Sequence, residues 1–145
     1  MPSIKAALAK PFAKRIYKKV QKWANNPIQT QDKVFKDLIS QATSTTFCID
    51  YDFISINNYQ DFVKRVPIRD YEDLKPYVDK VVAGQENILW PGKPKYFGKT
   101  SGTTSGVKYI PLTHNSMPNH MNSAKSAMLN YIAESKDASV FDGKM

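Results

Sequence analysis

The chain has 145 residues, 41% hydrophobic and 12% aromatic, which is one average domain's length and too apolar for an intrinsically disordered segment. No run approaches the roughly 18 apolar residues of a membrane-spanning helix. A single cysteine (Cys48) rules out an internal disulfide, and two histidines (His114, His120) argue against a multi-histidine metal site. A soluble protein of a reducing, cytoplasmic compartment is the expectation.

The net charge of +8 is unevenly placed. Residues 1–36 hold nine Lys or Arg against one acid, Asp32, while residues 37–145 balance twelve against twelve. Nucleic-acid contact, membrane-surface contact and the solvated side of an ordinary helix compete to explain that basic end. Within residues 1–26, the segment PFAKRIYKKVQKWA (11–24) reads as an amphipathic helix with Pro11 in its first turn. At about 100° per residue, Phe12, Ile16, Val20 and Trp23 share a stripe, and Lys14, Arg15, Lys18, Lys19 and Lys22 fall outside it. The favoured reading docks this stripe on the protein's own interior. A second helix follows after a short turn, where a targeting peptide would break. The aromatics do not interleave with the cations as they do in nucleic-acid binders. No nucleic-acid partner and no stable membrane insertion are therefore expected.

Asn25-Asn26-Pro27 stops this helix, and Thr30 is the expected cap of the next, over 31–42, with Val34, Phe35, Leu38, Ile39 and Ala42 on one face. Residues 43–46 end it, and Phe47 to Ile56 reads as a linker with extended pieces. A short helix is expected over 59–65, before Pro67. Asp70, with Asp73 three residues on, caps a further helix whose stripe is Leu74, Val78 and Val81 and which Gly84 follows. The run Trp90-Pro91-Gly92-Lys93-Pro94 marks a change of regime.

Two short strands, 95–99 and 108–112, flank the loop Thr100-Ser101-Gly102-Thr103-Thr104-Ser105-Gly106. Its glycines permit positive φ and close backbone approach, its amides can converge on an anion, and its hydroxyls add short donors. Lys108 beyond the loop, with Lys99 before it, supplies positive charge, so the chemistry suits a polyphosphate. The loop is no Walker motif. Gly98-Lys99-Thr100 imitates its ending, but Lys93 stands where the earlier glycine is required, and in the other register Tyr109 replaces the metal-binding hydroxyl. Asn115 or Ser116 is the expected cap of a last helix reaching about Glu134, with Met117, Met121, Ala124, Met128, Tyr131 and Ile132 as packing positions. His114 reads first as a residue leading into that helix and second as a ligand contact; His120 reads as structural.

Thr100 to Thr104, Lys108, Thr113 and His114 resemble, in register, the phosphate motif TSGTTGxPKGxxxTH of the adenylate-forming (acyl-adenylate synthetase) superfamily. Ser105-Gly106-Val107 departs from the Gly-x-Pro of its acyl-CoA ligase and peptide-synthetase branches. Lys108-Tyr109-Ile110-Pro111, with Val66-Pro67 and Tyr71-Glu72-Asp73-Leu74-Lys75-Pro76-Tyr77 upstream, is similar to the GH3 acyl acid–amido synthetases, a resemblance covering about residues 35–135. It implies an α/β fold, the N-terminal portion of an adenylate-forming large domain, with a helix-rich start, a strand–loop–strand at 95–114 and a helix. It also implies a two-step ligase reaction: a carboxylate attacks the α-phosphate of ATP to give an acyl-adenylate and pyrophosphate, and an amino acid amine then displaces AMP. Thr100, Ser101, Gly102, Thr103, Thr104, Ser105, Gly106 and Lys108 are the implied phosphate contacts. Mg²⁺ is implied with ATP, without a metal ligand or catalytic residue assignable here. The implied partners are a small carboxylic acid, an amino acid and the remaining part of the adenylation domain, and these 145 residues alone are expected to be inactive. An acyl-CoA ligase or a non-catalytic nucleotide-binding module is the alternative.

Overall fold

The computed structural model describes residues 4–101 and 106–142, which fall into two compact units, Met1–Thr30 with Pro118–Met145 and Gln31–Met117. The helix at the N-terminus, α1, spans Ile4–Ala24, so Pro11 lies inside it rather than in its first turn. The good helix formers preceding it (Lys5, Ala6, Ala7, Leu8, Ala9, Lys10) extend the helix backwards despite the hydrogen bond that proline forfeits. The second helix, α2, spans Pro27–Ala42 and begins earlier than expected. Pro27 needs no N–H partner in a first turn, and the Thr30 N–H already donates to the Asn26 carbonyl at 3.0 Å. Thr30 is thus inside the helix, not its cap.

In the first unit α1 packs with α6, Ser116–Ser135, and with a 3₁₀ turn at Ser139–Phe141. The core is Ala6, Ala13, Leu129, Ile132 and Ala138, joined by Ile16, Met128, Ala133 and Phe141. Small alanines on α1 allow close approach. The expected stripe is therefore only half right. Ile16 and Val20 are half-buried, whereas Phe12 and Trp23 stay 41% and 51% exposed. On α6, Met128 and Ile132 pack as expected, Leu129 is buried in addition, and Met121, Ala124 and Tyr131 face solvent.

The second unit holds the rest of α2, then α3 (Thr46–Asp50), a 3₁₀ turn (Phe53–Ser55), α4 (Tyr59–Arg65), α5 (Tyr71–Val82) and a hairpin. Residues 47–56, expected as a linker with extended pieces, instead hold most of a short helix and a 3₁₀ turn, and they supply the centre of this core. Cys48, Phe53 and Ile56 are buried with Ala42, with Phe35, Ile39, Phe47, Phe62 and Trp90 packed around them. Thr45 caps α3 by accepting the Cys48 N–H, while the Thr46 and Phe47 N–H groups donate to Asn87 and Ile88 carbonyls at 2.8 and 2.9 Å. Partners about forty residues away satisfy the first turn, as a helix this short requires. Of the expected α2 stripe, Phe35, Ile39 and Ala42 join the core, and Val34 and Leu38 stay half-exposed.

Both later helices match their expected spans. Asn58 caps α4 by accepting the Asp61 N–H at 3.0 Å. On α5, Asp70 accepts the Asp73 N–H at 2.9 Å and Asp73 accepts the Asp70 N–H at 3.4 Å, a reciprocal capping box. Val78 and Val81 are buried, and Gly84 (φ +89°) follows as the left-handed residue past the end.

Candidate functional site

Strands β1 (Tyr96–Thr100) and β2 (Lys108–Leu112) pair antiparallel, with Tyr96 opposite Leu112 and Thr100 opposite Lys108. The first strand lies one residue later than expected. Pro111 stands opposite Phe97, tolerated because each strand of a two-stranded ladder keeps an outer edge where a missing N–H costs nothing. Phe97 and Tyr109 meet edge to face, with ring centroids 6.2 Å apart. The hairpin therefore pins both ends of the loop, and its register places Thr100 directly across from Lys108.

Of the sequence-expected contacts, Gly102, Thr103, Thr104 and Ser105 lie outside the described residues. Thr100 closes β1 and Ser101 follows it, both exposed. Gly106 sits at φ +79°, in the left-handed region that disfavours side-chain-bearing residues, with open space where a Cβ would point. Lys108, whose place in the strand left its direction open, is half-buried, and its ammonium stands 5.2 Å from the centre of the Tyr71 ring. Lys99 is exposed opposite Tyr109.

The first residue of α5 reaches the same place. The Tyr71 hydroxyl accepts the Tyr109 backbone N–H at 2.9 Å, so one tyrosine fixes the start of β2 through its oxygen and carries Lys108 on its ring. This role was missed from sequence, although Tyr71 belongs to the block that carried the resemblance. Tyr77, at the other end of that block, donates to Asp50 Oδ2 at 2.8 Å; burial, reinforced by this bond, pushes its phenol above the ordinary range. A second missed signal is electrostatic. Between Glu86 and Glu134 the chain contains no acid and five lysines, so the hairpin's positive potential has no local counter-charge in sequence.

Beyond β2 the motif's last two residues separate from the loop. Thr113 and Ser116, the first residue of α6, bond reciprocally at the helix entry: the Thr113 hydroxyl accepts the Ser116 N–H at 3.1 Å, and Ser116 Oγ accepts the Thr113 N–H at 3.0 Å. His114 is exposed in the turn, and His120 is exposed on α6. Among the described residues no group of three His, Cys, Asp or Glu is arranged to hold a metal ion, and no helix is long and apolar enough to cross a membrane.

Residues 16–144 match the GH3 family N-terminal domain. The chain is 33% identical over 90 residues to an indole-3-acetic acid-amido synthetase of Arabidopsis thaliana, covering 61% of this chain and 15% of the relative. It is 30% identical over 104 residues to a 4-substituted benzoates-glutamate ligase of the same plant, covering 70% and 18%. It is 27% identical over 99 residues to a jasmonoyl–L-amino acid synthetase of Nicotiana attenuata, covering 67% and 17%. The chain thus spans less than a fifth of the length of these relatives. No solved structure matches it. With the family match running through both the capped tyrosine block and the glycine-rich hairpin, the chain belongs to the GH3 family.

Proposed function

We propose that this chain supplies the nucleotide-phosphate cradle of an ATP-dependent acyl acid–amido synthetase of the adenylate-forming type. The observation that carries the reading is the hairpin register. It holds the two ends of a Ser/Thr/Gly loop across from one another, with Gly106 at positive φ at its exit and Lys108 beside it. The donor set fits a polyphosphate: the hydroxyls of Thr100, Ser101, Thr103, Thr104 and Ser105 and the amides of Gly102 and Gly106 are all neutral donors. Lys108 adds charge without moving far, because Tyr71 restrains it.

In the reaction so assigned, a carboxylate oxygen attacks the α-phosphorus of ATP, the bond to the bridging oxygen breaks, and pyrophosphate leaves. The amine of an amino acid then attacks the acyl carbon and AMP departs. The loop binds the β- and γ-phosphates and holds the leaving group in line with the attack, so its contribution is orientation and charge stabilisation. Mg²⁺ accompanies the phosphates and would neutralise further charge, with no protein carboxylate of this chain assigned to it. The names of the relatives support an acid and an amino acid as the two joined substrates.

Calorimetric titration of the purified chain with ATP and Mg²⁺ tests the cradle. Saturable binding is expected, abolished by Gly106→Val, which forces a β-branched residue to φ +79°, and weakened by Lys108→Gln. Absence of binding to the folded chain overturns the assignment. The 145 residues by themselves are expected to give no carboxylate-dependent exchange of pyrophosphate into ATP, and such exchange would show that they suffice for adenylation.

A further inference from the structure

The face that α1 leaves in solvent is not the one its hydrophobicity assigns to it. Its buried side runs through Ala6 and Ala13, and a separate ridge of large apolar groups is left over: Leu8 is 69% exposed, Phe12 41% and Trp23 51%. At about 100° per residue these three fall within about 60° of one another and span roughly 22 Å along the helix. Arg15, Lys18 and Lys22 follow along one flank, Lys19 falls within the arc itself, and Lys125 of α6 brings its ammonium to 4.7 Å from the Phe12 ring centre. None of the ion pairs among the described residues involves Lys14, Arg15, Lys18, Lys19 or Lys22. Residues 1–30 carry seven Lys or Arg and no acid, and 118–145 balance three against three, so the whole unit is +7. Beside the ridge, Ile16, Val20 and Trp23 help line a groove of about 590 Å³ shared with Lys19, Lys125 and Asn130.

We propose that this ridge docks the chain on an anionic lipid bilayer, α1 lying in the plane of the surface. Leu, Phe and Trp on one line with a belt of Lys and Arg beside them is the pattern of a helix seated at the boundary of headgroups and acyl chains. The cations answer the negative surface, and the ridge supplies the apolar area that a phosphodiester partner leaves unused, which favours lipid over nucleic acid. Leu8 and Phe12 also precede the stretch that matches the family domain, so two of the ridge's three residues lie outside the shared region. The proposal is independent of the hairpin and its nucleotide.

Co-sedimentation with vesicles of phosphatidylcholine, with and without one-quarter phosphatidylserine, tests it. The chain is expected to pellet with the anionic vesicles at ~0.1 M salt, to be released at ~0.5 M, and to ignore the neutral ones. Lys18→Gln/Lys22→Gln is expected to weaken partitioning about 25-fold, near fivefold for each cation removed. Leu8→Ser/Phe12→Ser, both at solvent-exposed positions, is expected to weaken it at least tenfold with unchanged circular dichroism. Trp fluorescence is expected to shift blue on binding, and Trp23→Phe to remove the shift. No binding to anionic vesicles overturns the proposal. So does vesicle binding that Leu8→Ser/Phe12→Ser leaves untouched and that duplex DNA matches, since the contact is then with any polyanion. A dimer that the same double variant dissolves, without vesicle binding, assigns the ridge to a second copy and also overturns it.

Discussion

Replacing Tyr71 by Phe removes one oxygen and keeps the ring, which makes it a clean probe of how α5 holds the hairpin. The lost oxygen is the acceptor of the Tyr109 N–H at 2.9 Å, in a half-buried position. Stranding a backbone donor costs about 1–3 kcal/mol when burial is complete; partial access to water puts this case near 1.5 kcal/mol, about tenfold in an opening equilibrium. Tyr71→Leu also takes away the ring beneath Lys108, 5.2 Å from its ammonium, for about 0.5–1 kcal/mol more. Amide hydrogen exchange followed by NMR should therefore show Tyr109 exchanging about ten times faster in Tyr71→Phe, and faster again in Tyr71→Leu. Urea unfolding should register losses of about 1.5 and about 2–2.5 kcal/mol in the same order. Tyr109 protection equal to that of the unaltered chain in Tyr71→Phe would refute the claim that this hydroxyl anchors β2. Equal losses in the two variants would show that the ring carries nothing for Lys108.

Asp70→Ala dismantles the capping box and is expected to cost about 1–2 kcal/mol in urea unfolding, with Asp70→Asn recovering most of it. Ile132→Ala opens a cavity at a position only 1% exposed and should cost about 2–5 kcal/mol, read from the unfolding midpoint of the first unit. Burial raises the Cys48 thiol above its ordinary pKa, against a smaller lowering by the Thr45 hydroxyl. The folded state thus favours the protonated thiol. Its contribution to stability is complete below the unfolded thiol's pKa and is lost as pH climbs through the folded value, a decline that unfolding midpoints in mildly alkaline buffers should show and Cys48→Ser should flatten. Iodoacetamide should label Cys48 only at the rate of unfolding.

What the sequence made legible was local. Asp70 and Asp73 announce α5 three residues apart, and a Gly-rich loop between two β-prone pentapeptides announces the hairpin. Residues 46–50 failed because their helix depends on Asn87 and Ile88, whose carbonyls take the first N–H groups from a distant part of the chain. A short Thr- and Phe-containing stretch offers no such signal by itself. In the candidate site the two flanking strands were readable from residue type and spacing. Their support was not, because Tyr71 and Tyr109 lie 38 residues apart and one of the bonded atoms belongs to the backbone, which carries no identity in the sequence. The face of α1 was misjudged for a third reason: amphipathicity weights the largest side chains, and here the contact is made by the smallest.

That last point inverts the usual guide to tolerance along this helix. Ala13 has no exposed surface at all, so the mildest change there, a single added methyl branch, must push α1 off its neighbours. Leu8 and Trp23, which any hydropathy scale ranks as the residues to protect, can be exchanged for polar ones without disturbing the interior. A library randomised over α1 and selected for folding alone would return Ala6 and Ala13 intact and Trp23 erased.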